Sequence, residues 1–122
     1  MNSIKTFRDL IAWQKGMDLA RTMYRITSAL PEAERFGLTS QMRRAAISIP
    51  SNIAEGYARH STKDYLKYLR TARGSLAELS TQYELTTSMR LLQEETAINE
   101  QLAEIDRILQ GLIRSIERTL EK

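Results

Sequence analysis

Seven cationic side chains crowd the middle of this chain and form its clearest concentration of residues suited to a chemical task. Between Thr39 and Arg73 the basic residues Arg43, Arg44, Arg59, Lys63, Lys67, Arg70 and Arg73 stand against two acids, Glu55 and Asp64, whereas from Gly74 onward nine acids outnumber five bases. Guanidinium and ammonium groups gathered in this way neutralise phosphate, and a nucleic-acid backbone is the polyanion such a surface suits. Lys63, Lys67 and Arg70, at steps of four and three, share one helical face, with Tyr57 and Tyr68 near enough in sequence to interleave. Tyr65 begins an apolar seam and is the poorer stacking residue. The plainer alternative is that a basic helical face is only a solvated one.

Overlapping this cluster, Gln41, Arg44, Ser48, Asn52, Glu55 and Arg59 form a polar line at helical spacing. Such a line is ordinarily the wet side of an amphipathic helix. Asn and Ser are weak helix formers, however, and their use here also fits a strip lining a groove, a subunit contact or a pore.

Enzymatic chemistry finds little to work with. There is no cysteine, which excludes disulfides, thiol nucleophiles and cysteine metal sites and is compatible with a reducing compartment. His60, the one histidine, sits beside Arg59 at a helix junction, a solvated turn position rather than a general base. Glu-x-x-His pairs, a zinc-binding HExxH, a glycine-rich phosphate loop and a nucleophile elbow are all missing. Glu55 and Glu78 could face each other across two helices, but Arg44, Arg59 or Arg73 would more simply neutralise them. The expectation is a non-enzyme with no catalytic residue, no metal and no cofactor.

The elements that must position the cations are helical. With two prolines, five glycines and no valine in 122 residues, and without alternating apolar and polar runs, the chain reads as all-α. One domain, 1–122, is expected, an up-and-down antiparallel four-helix bundle with helices at about 8–28, 39–59, 62–89 and 94–120. The first carries Leu10, Trp13, Met17, Ala20, Tyr24 and Thr27 on one face and Leu19, Met23, Ile26 and Leu30 beside it. The second, stripe Leu38, Met42, Ala45, Ile49 and Ile53, is expected to start at a Thr39 or Ser40 cap and to kink at Pro50, since proline removes a backbone donor and crowds the Ala46 carbonyl. Two short helices are the alternative. The unbroken stripe favours one.

Ser61 and Asp64 resemble a capping box opening the third helix, whose seam is Tyr65, Leu69, Ala72, Leu76, Leu79 and Tyr83. Gly74 interrupts it, through tolerance or through close approach of a neighbour. The fourth helix has Ile98, Leu102, Ile105, Leu109, Leu112, Ile116 and Leu120, with Arg90 to Gln93 as a turn lacking glycine and proline. A signal-peptide core and an 18-residue apolar run are both missing, so a cytoplasmic protein without membrane contact is expected.

The segments FRDLIAWQKGMDLA, ALPEAERFGLTSQMRRAAISIPSNIAEGYAR and YLKYLRTARGSLAELSTQ resemble the bacterial four-helix-bundle family first noticed as products of intervening sequences in 23S ribosomal RNA genes. Gln41 to Gly56 followed by Gly74 to Leu79 is the most specific part. The resemblance implies a bundle that assembles as a ring-shaped homopentamer with a basic central channel. The chain is also similar to the accessory variability protein of diversity-generating retroelements, whose ring is associated with nucleic acid and a reverse transcriptase. From the matching segments, Arg43, Arg44, Asn52, Glu55 and Arg59 carry over as candidates for a channel or binding surface.

Small residues at Ala45, Ala46, Ala54, Gly56, Ala58 and Gly74 suit close helix approach within or between subunits, although five-fold symmetry rests on the resemblance alone. The expected partners are other copies of the chain, RNA or DNA, and a reverse transcriptase or another protein. Two functions follow: a homo-oligomer, by the resemblance a pentameric ring, that binds nucleic acid through a basic surface or channel, or a scaffold or adaptor ring whose arginines serve subunit contacts. A small anion held at a ring axis ranks third.

Overall fold

The computed structural model describes residues 3–121. Four α-helices follow one another, α1 Ile11–Thr27, α2 Ser40–Tyr57, α3 Thr62–Ser88 and α4 Thr96–Leu120, with no strand among the described residues. Helix α2 packs between α1 and α3, and α4 closes the circuit against α3 and α1. The chain is an all-α, up-and-down four-helix bundle.

The N-terminal helix begins in two steps. Asp9 Oδ2 accepts the N–H groups of Lys5 at 2.9 Å and Thr6 at 3.0 Å, and Thr6 Oγ1 accepts that of Arg8 at 3.2 Å. This reciprocal capping folds Phe7–Asp9 into a 3-10 turn, and an extended Leu10 separates it from α1. The Lys5 and then the Thr6 N–H bonds hold the Asp9 carboxyl below its ordinary pKa. The buried face of α1 is Ala12, Gly16, Leu19, Ala20, Met23, Ile26 and Thr27, while Trp13 and Met17 are half-buried and Tyr24 is exposed. Leu19 and Met23 thus head the core, and the line through Met17 and Tyr24 forms its margin.

Helix α2 does not start from a Thr39 or Ser40 cap. A 3-10 turn, Glu32–Glu34, runs into a wide turn at Arg35–Thr39, where Glu34 Oε1 accepts the Leu38 N–H at 3.4 Å and Thr39 makes no side-chain cap bond. From Ser40, α2 is one helix through Pro50. Its buried side is Met42, Ala45, Ala46, Ile49, Pro50, Ile53 and Gly56. Two glycines set how closely the neighbours approach. A Cβ at Gly16 of α1 would lie 3.4 Å from the Pro50 Cβ, and one at Gly56 would lie 2.7 Å from the Tyr68 Cβ and 3.1 Å from the Tyr65 Cδ1. Gly74, by contrast, is exposed and a Cβ there would meet nothing within 4 Å. The close approach thus falls at Gly16 and Gly56, not at Gly74.

Ser61 Oγ accepts the Asp64 N–H at 3.0 Å and caps α3; Asp64 makes no return bond among the described residues. Along α3 the residues Leu69, Ala72, Leu76, Leu79, Tyr83 and Thr86 are buried, and Tyr65 is half-buried at the end. The turn to α4 needs no glycine because Arg90 takes the left-handed conformation, φ 61°. Its N–H reaches the Thr87 carbonyl at 3.0 Å and that of Leu91 the Thr86 carbonyl at 2.9 Å, the paired bonds of a Schellman ending. Tyr83 OH, accepting the Glu95 N–H at 2.8 Å, fixes where α4 starts.

Helix α4 is buried at Ile98, Leu102, Ile105, Leu109 and Ile113, but Leu112 and Ile116 are only half-buried and Leu120 is exposed. The ion pairs Lys15–Glu104 (3.5 Å) and Arg25–Glu95 (3.5 Å) explain this. The antiparallel register they set puts Ile11, the first residue of α1, about level with Ile108. Past that point α4 has lost α1 as a neighbour.

These contacts fix three stability changes, each measurable by urea denaturation. Gly56→Ala overpacks the α2–α3 contact and should cost about 1–3 kcal/mol, whereas Gly74→Ala should gain up to about 1 kcal/mol from helix propensity alone. Arg90→Gly, relieving the left-handed conformation, should gain roughly 0.5–1 kcal/mol.

Candidate functional site

The cations named from the sequence do not form one patch. Arg43 and Arg44 lie in the first turns of α2, and Lys63, Lys67 and Arg70 follow the α2–α3 turn. At 1.5 Å per residue α2 separates Arg44 from Tyr57, two residues before Arg59, by about 20 Å.

Arg43 belongs to the bundle's own architecture. Its Nε donates to Thr27 Oγ1 at 2.9 Å, its Nη2 to the Tyr24 carbonyl and Ser28 Oγ at 3.3 Å each, and its guanidinium lies 4.5 Å from the Tyr24 ring centre. A cation at the last turn of α1 satisfies terminal carbonyls and complements the helix dipole. Thr27, buried, donates its own hydroxyl hydrogen bond to the Met23 carbonyl at 2.6 Å. Arg44, one position on, is exposed and makes no hydrogen bond or ion pair among the described residues.

The polar line of α2 divides into parts. Gln41, Arg44, Glu55 and Arg59 are exposed, but Ser48 and Asn52 are half-buried. Ser48 Oγ lies 2.8 Å from Ser75 Oγ of α3, and Asn52 Nδ2 donates to the Ser48 carbonyl at 2.8 Å and to Ser48 Oγ at 2.9 Å. The middle of the line is therefore an α2–α3 seam rather than a wet face. Its hydroxyls stay satisfied because Ser75 arrives from a helix that the sequence places 27 residues away.

Around the α2–α3 turn, Arg59 Nη2 donates to Glu55 Oε1 at 3.0 Å and to Tyr68 OH at 2.6 Å, with the guanidinium 4.9 Å from the Tyr68 ring centre. Tyr68, and after it Glu55, raise the Arg59 pKa, so this side chain stays cationic. Tyr68 thus already has an arginine on its ring, which alters its role as a stacking surface. Tyr57 and Tyr65 meet edge to face with centroids 6.0 Å apart, and burial, then Tyr57, pushes the Tyr65 phenol up to about 12. Lys63 and Lys67 are exposed and form no ion pair among the described residues. Arg70 pairs with Glu117 at 2.7 Å and Arg73 with Asp106 at 3.0 Å, both across to α4.

Of the seven cations, three are thus tied to carboxylates, one to hydroxyls and a carbonyl, and three, Arg44, Lys63 and Lys67, are exposed without an acidic partner among the described residues. Sequence reasoning did not find the partners Glu117 and Asp106, which lie more than thirty residues away. Phe36 and an open groove between α3 and α4 also escaped it. Among the described residues no group of three or more His, Cys, Asp or Glu is placed to hold a metal ion, and no helix is long and apolar enough to cross a membrane.

Fold and surface together define a small helical-bundle module with cations at two levels. The chain belongs to the family described as 23S rRNA-intervening sequence protein, whose model matches residues 8–112. It is similar in structure to a protein of unknown function from the S23 ribosomal protein family of Bacteroides thetaiotaomicron. The TM-score is 0.78 at 23% identity, covering 85% of this chain and 96% of that one, a likeness of fold. No curated protein matches the chain.

Removing Arg43 should therefore act on stability. Arg43→Ala leaves the α1 terminus without its donors and is expected to cost about 1–3 kcal/mol, whereas Arg44→Ala should stay within about 0.5 kcal/mol. Urea midpoints of the two variants, measured side by side, make the comparison.

Proposed function

We propose that this chain is a non-enzymatic, self-associating cytoplasmic bundle, a ring for which the family resemblance suggests five copies, that binds RNA or DNA by neutralising phosphates. The observation that carries the reading is the set of exposed cations without acidic partners among the described residues, Lys63 and Lys67 at the start of α3 and Arg44 on α2. Arg59, Arg70 and Arg73 add to it. Their ion pairs are 44–57% exposed on the arginine side, and exposed pairs are worth only about 0–1 kcal/mol, so a phosphate can take the place of the carboxylate. Each subunit then offers a few contacts, and symmetry multiplies them. Backbone contacts of this kind position a nucleic acid with little reading of its bases.

The alternative is a scaffold or adaptor ring that recruits a protein, a reverse transcriptase being the partner the resemblance names. What favours it is that Arg43, Arg59, Arg70 and Arg73 already have bonds within the bundle, which leaves fewer unpaired cations for a polyanion.

Fluorescence anisotropy with a generic single-stranded RNA and a duplex DNA, each at low and high salt, separates the two. Binding that weakens steeply with salt is expected, and Arg44→Glu, Lys63→Glu and Lys67→Glu combined should weaken it at least about ten-fold and flatten the logarithmic salt slope by roughly three. Absence of binding at low salt would remove the nucleic-acid reading and leave the scaffold.

A further inference from the structure

An open groove of about 910 Å³ lies between α3 and α4. Gly74 and Ala77 of α3 and Ala103 of α4 keep it wide, and Leu76, Leu102 and Ile113 give it an apolar floor. The Arg70–Glu117 and Arg73–Asp106 pairs border it, and Arg114 lines it without an acidic partner among the described residues. Among the described residues nothing requires a glycine at position 74, since a Cβ would meet no atom within 4 Å. The missing side chain deepens the groove toward solvent.

At the other level of the bundle, Phe36 stands 87% exposed on the turn between α1 and α2. A phenylalanine ring carries a large apolar surface that favours burial, and among the described residues no apolar side chain covers it. Arg35 lies beside the ring, 5.4 Å from its centre, and pairs with Glu32 at 3.4 Å, so the acidic excess of the turn is Glu34, one of whose oxygens caps the Leu38 N–H. The groove has the opposite excess, three arginines against Asp106 and Glu117.

Phe36 cannot fill the groove of its own chain. The Ser48–Ser75 contact sets the α2–α3 register, which places Phe36 level with the end of α3, about 18 Å along the axis from Gly74. A protrusion and a cavity at different places on one surface match between copies, head to tail.

We infer that the α3–α4 groove receives the Phe36 turn, residues 31–37, of a second copy of this chain. The ring seats over Gly74 and Ala77 on the apolar floor of the groove, and Arg114 meets Glu34 of the incoming turn. Each copy keeps one free knob and one free groove, so the contact either closes into a ring or propagates. The inference rests on the self-association in the proposed function and is independent of nucleic-acid binding.

Sedimentation velocity on wild type, Phe36→Asp and Gly74→Trp, with circular dichroism to verify helix content, tests it. Both positions are open to solvent, so both variants should fold; Phe36→Ser and Gly74→Gln serve as milder replacements. Wild type should be oligomeric and each variant a single chain. Mixing the two should restore a one-to-one dimer and nothing larger, because Phe36→Asp retains a groove and Gly74→Trp retains a knob. A folded variant that keeps the wild-type mass, or a mixture that stays monomeric, overturns the knob-and-groove contact while leaving self-association standing. A monomeric wild type overturns both.

Discussion

The close packing of α2 between α1 and α3 is the constraint on which the rest of the molecule depends. At Gly16 the α1 backbone comes against Pro50, and at Gly56 the α2 backbone comes against Tyr65 and Tyr68. Any larger residue at Gly56 would push the helices apart. Pro50 fits the same logic: it lacks a backbone donor, yet it lies buried against a neighbour that has made room for it. Once α2 is held on both sides, Ser48 and Ser75 are brought together and the seam becomes polar without becoming unsatisfied. Arg43 then joins the start of α2 to the end of α1.

Charge in this bundle serves two purposes that sequence composition does not separate. Arginines whose reach includes a helix end or an acid on another helix are used in holding the bundle: Arg43 on α1, and Arg70 and Arg73 on α4. Those without such neighbours remain in water. The positive excess of the central segment is therefore partly a record of where α3 lies opposite the acids of α4.

The exposure of the last turns of α4 follows from the length of α1. Because α1 starts level with about Ile108, α4 continues beyond the end of its partner, and Leu112, Ile116 and Leu120 lose cover in proportion. The groove between α3 and α4 is a surface on which apolar floor, small residues and ion pairs meet without a side chain filling the centre.

Periodicity was enough to determine the all-helical class, the four helices and most of the core, because a buried stripe must recur every three or four residues whatever the helix packs against. The Ser61 cap was legible for the same reason, being a contact within four residues. The Thr6–Asp9 capping box had its signal in the sequence as well, a threonine with an acid three residues on. What periodicity could not contain is the pairing of helices. The partners of Arg43, Arg70 and Arg73, the half-buried state of Ser48 and Asn52, the open space at Gly74 and the bare Phe36 were all decided by tertiary structure. Each depends on which residue of another helix arrives within about 3 Å, and a register between segments many turns apart leaves no trace in the spacing of either one.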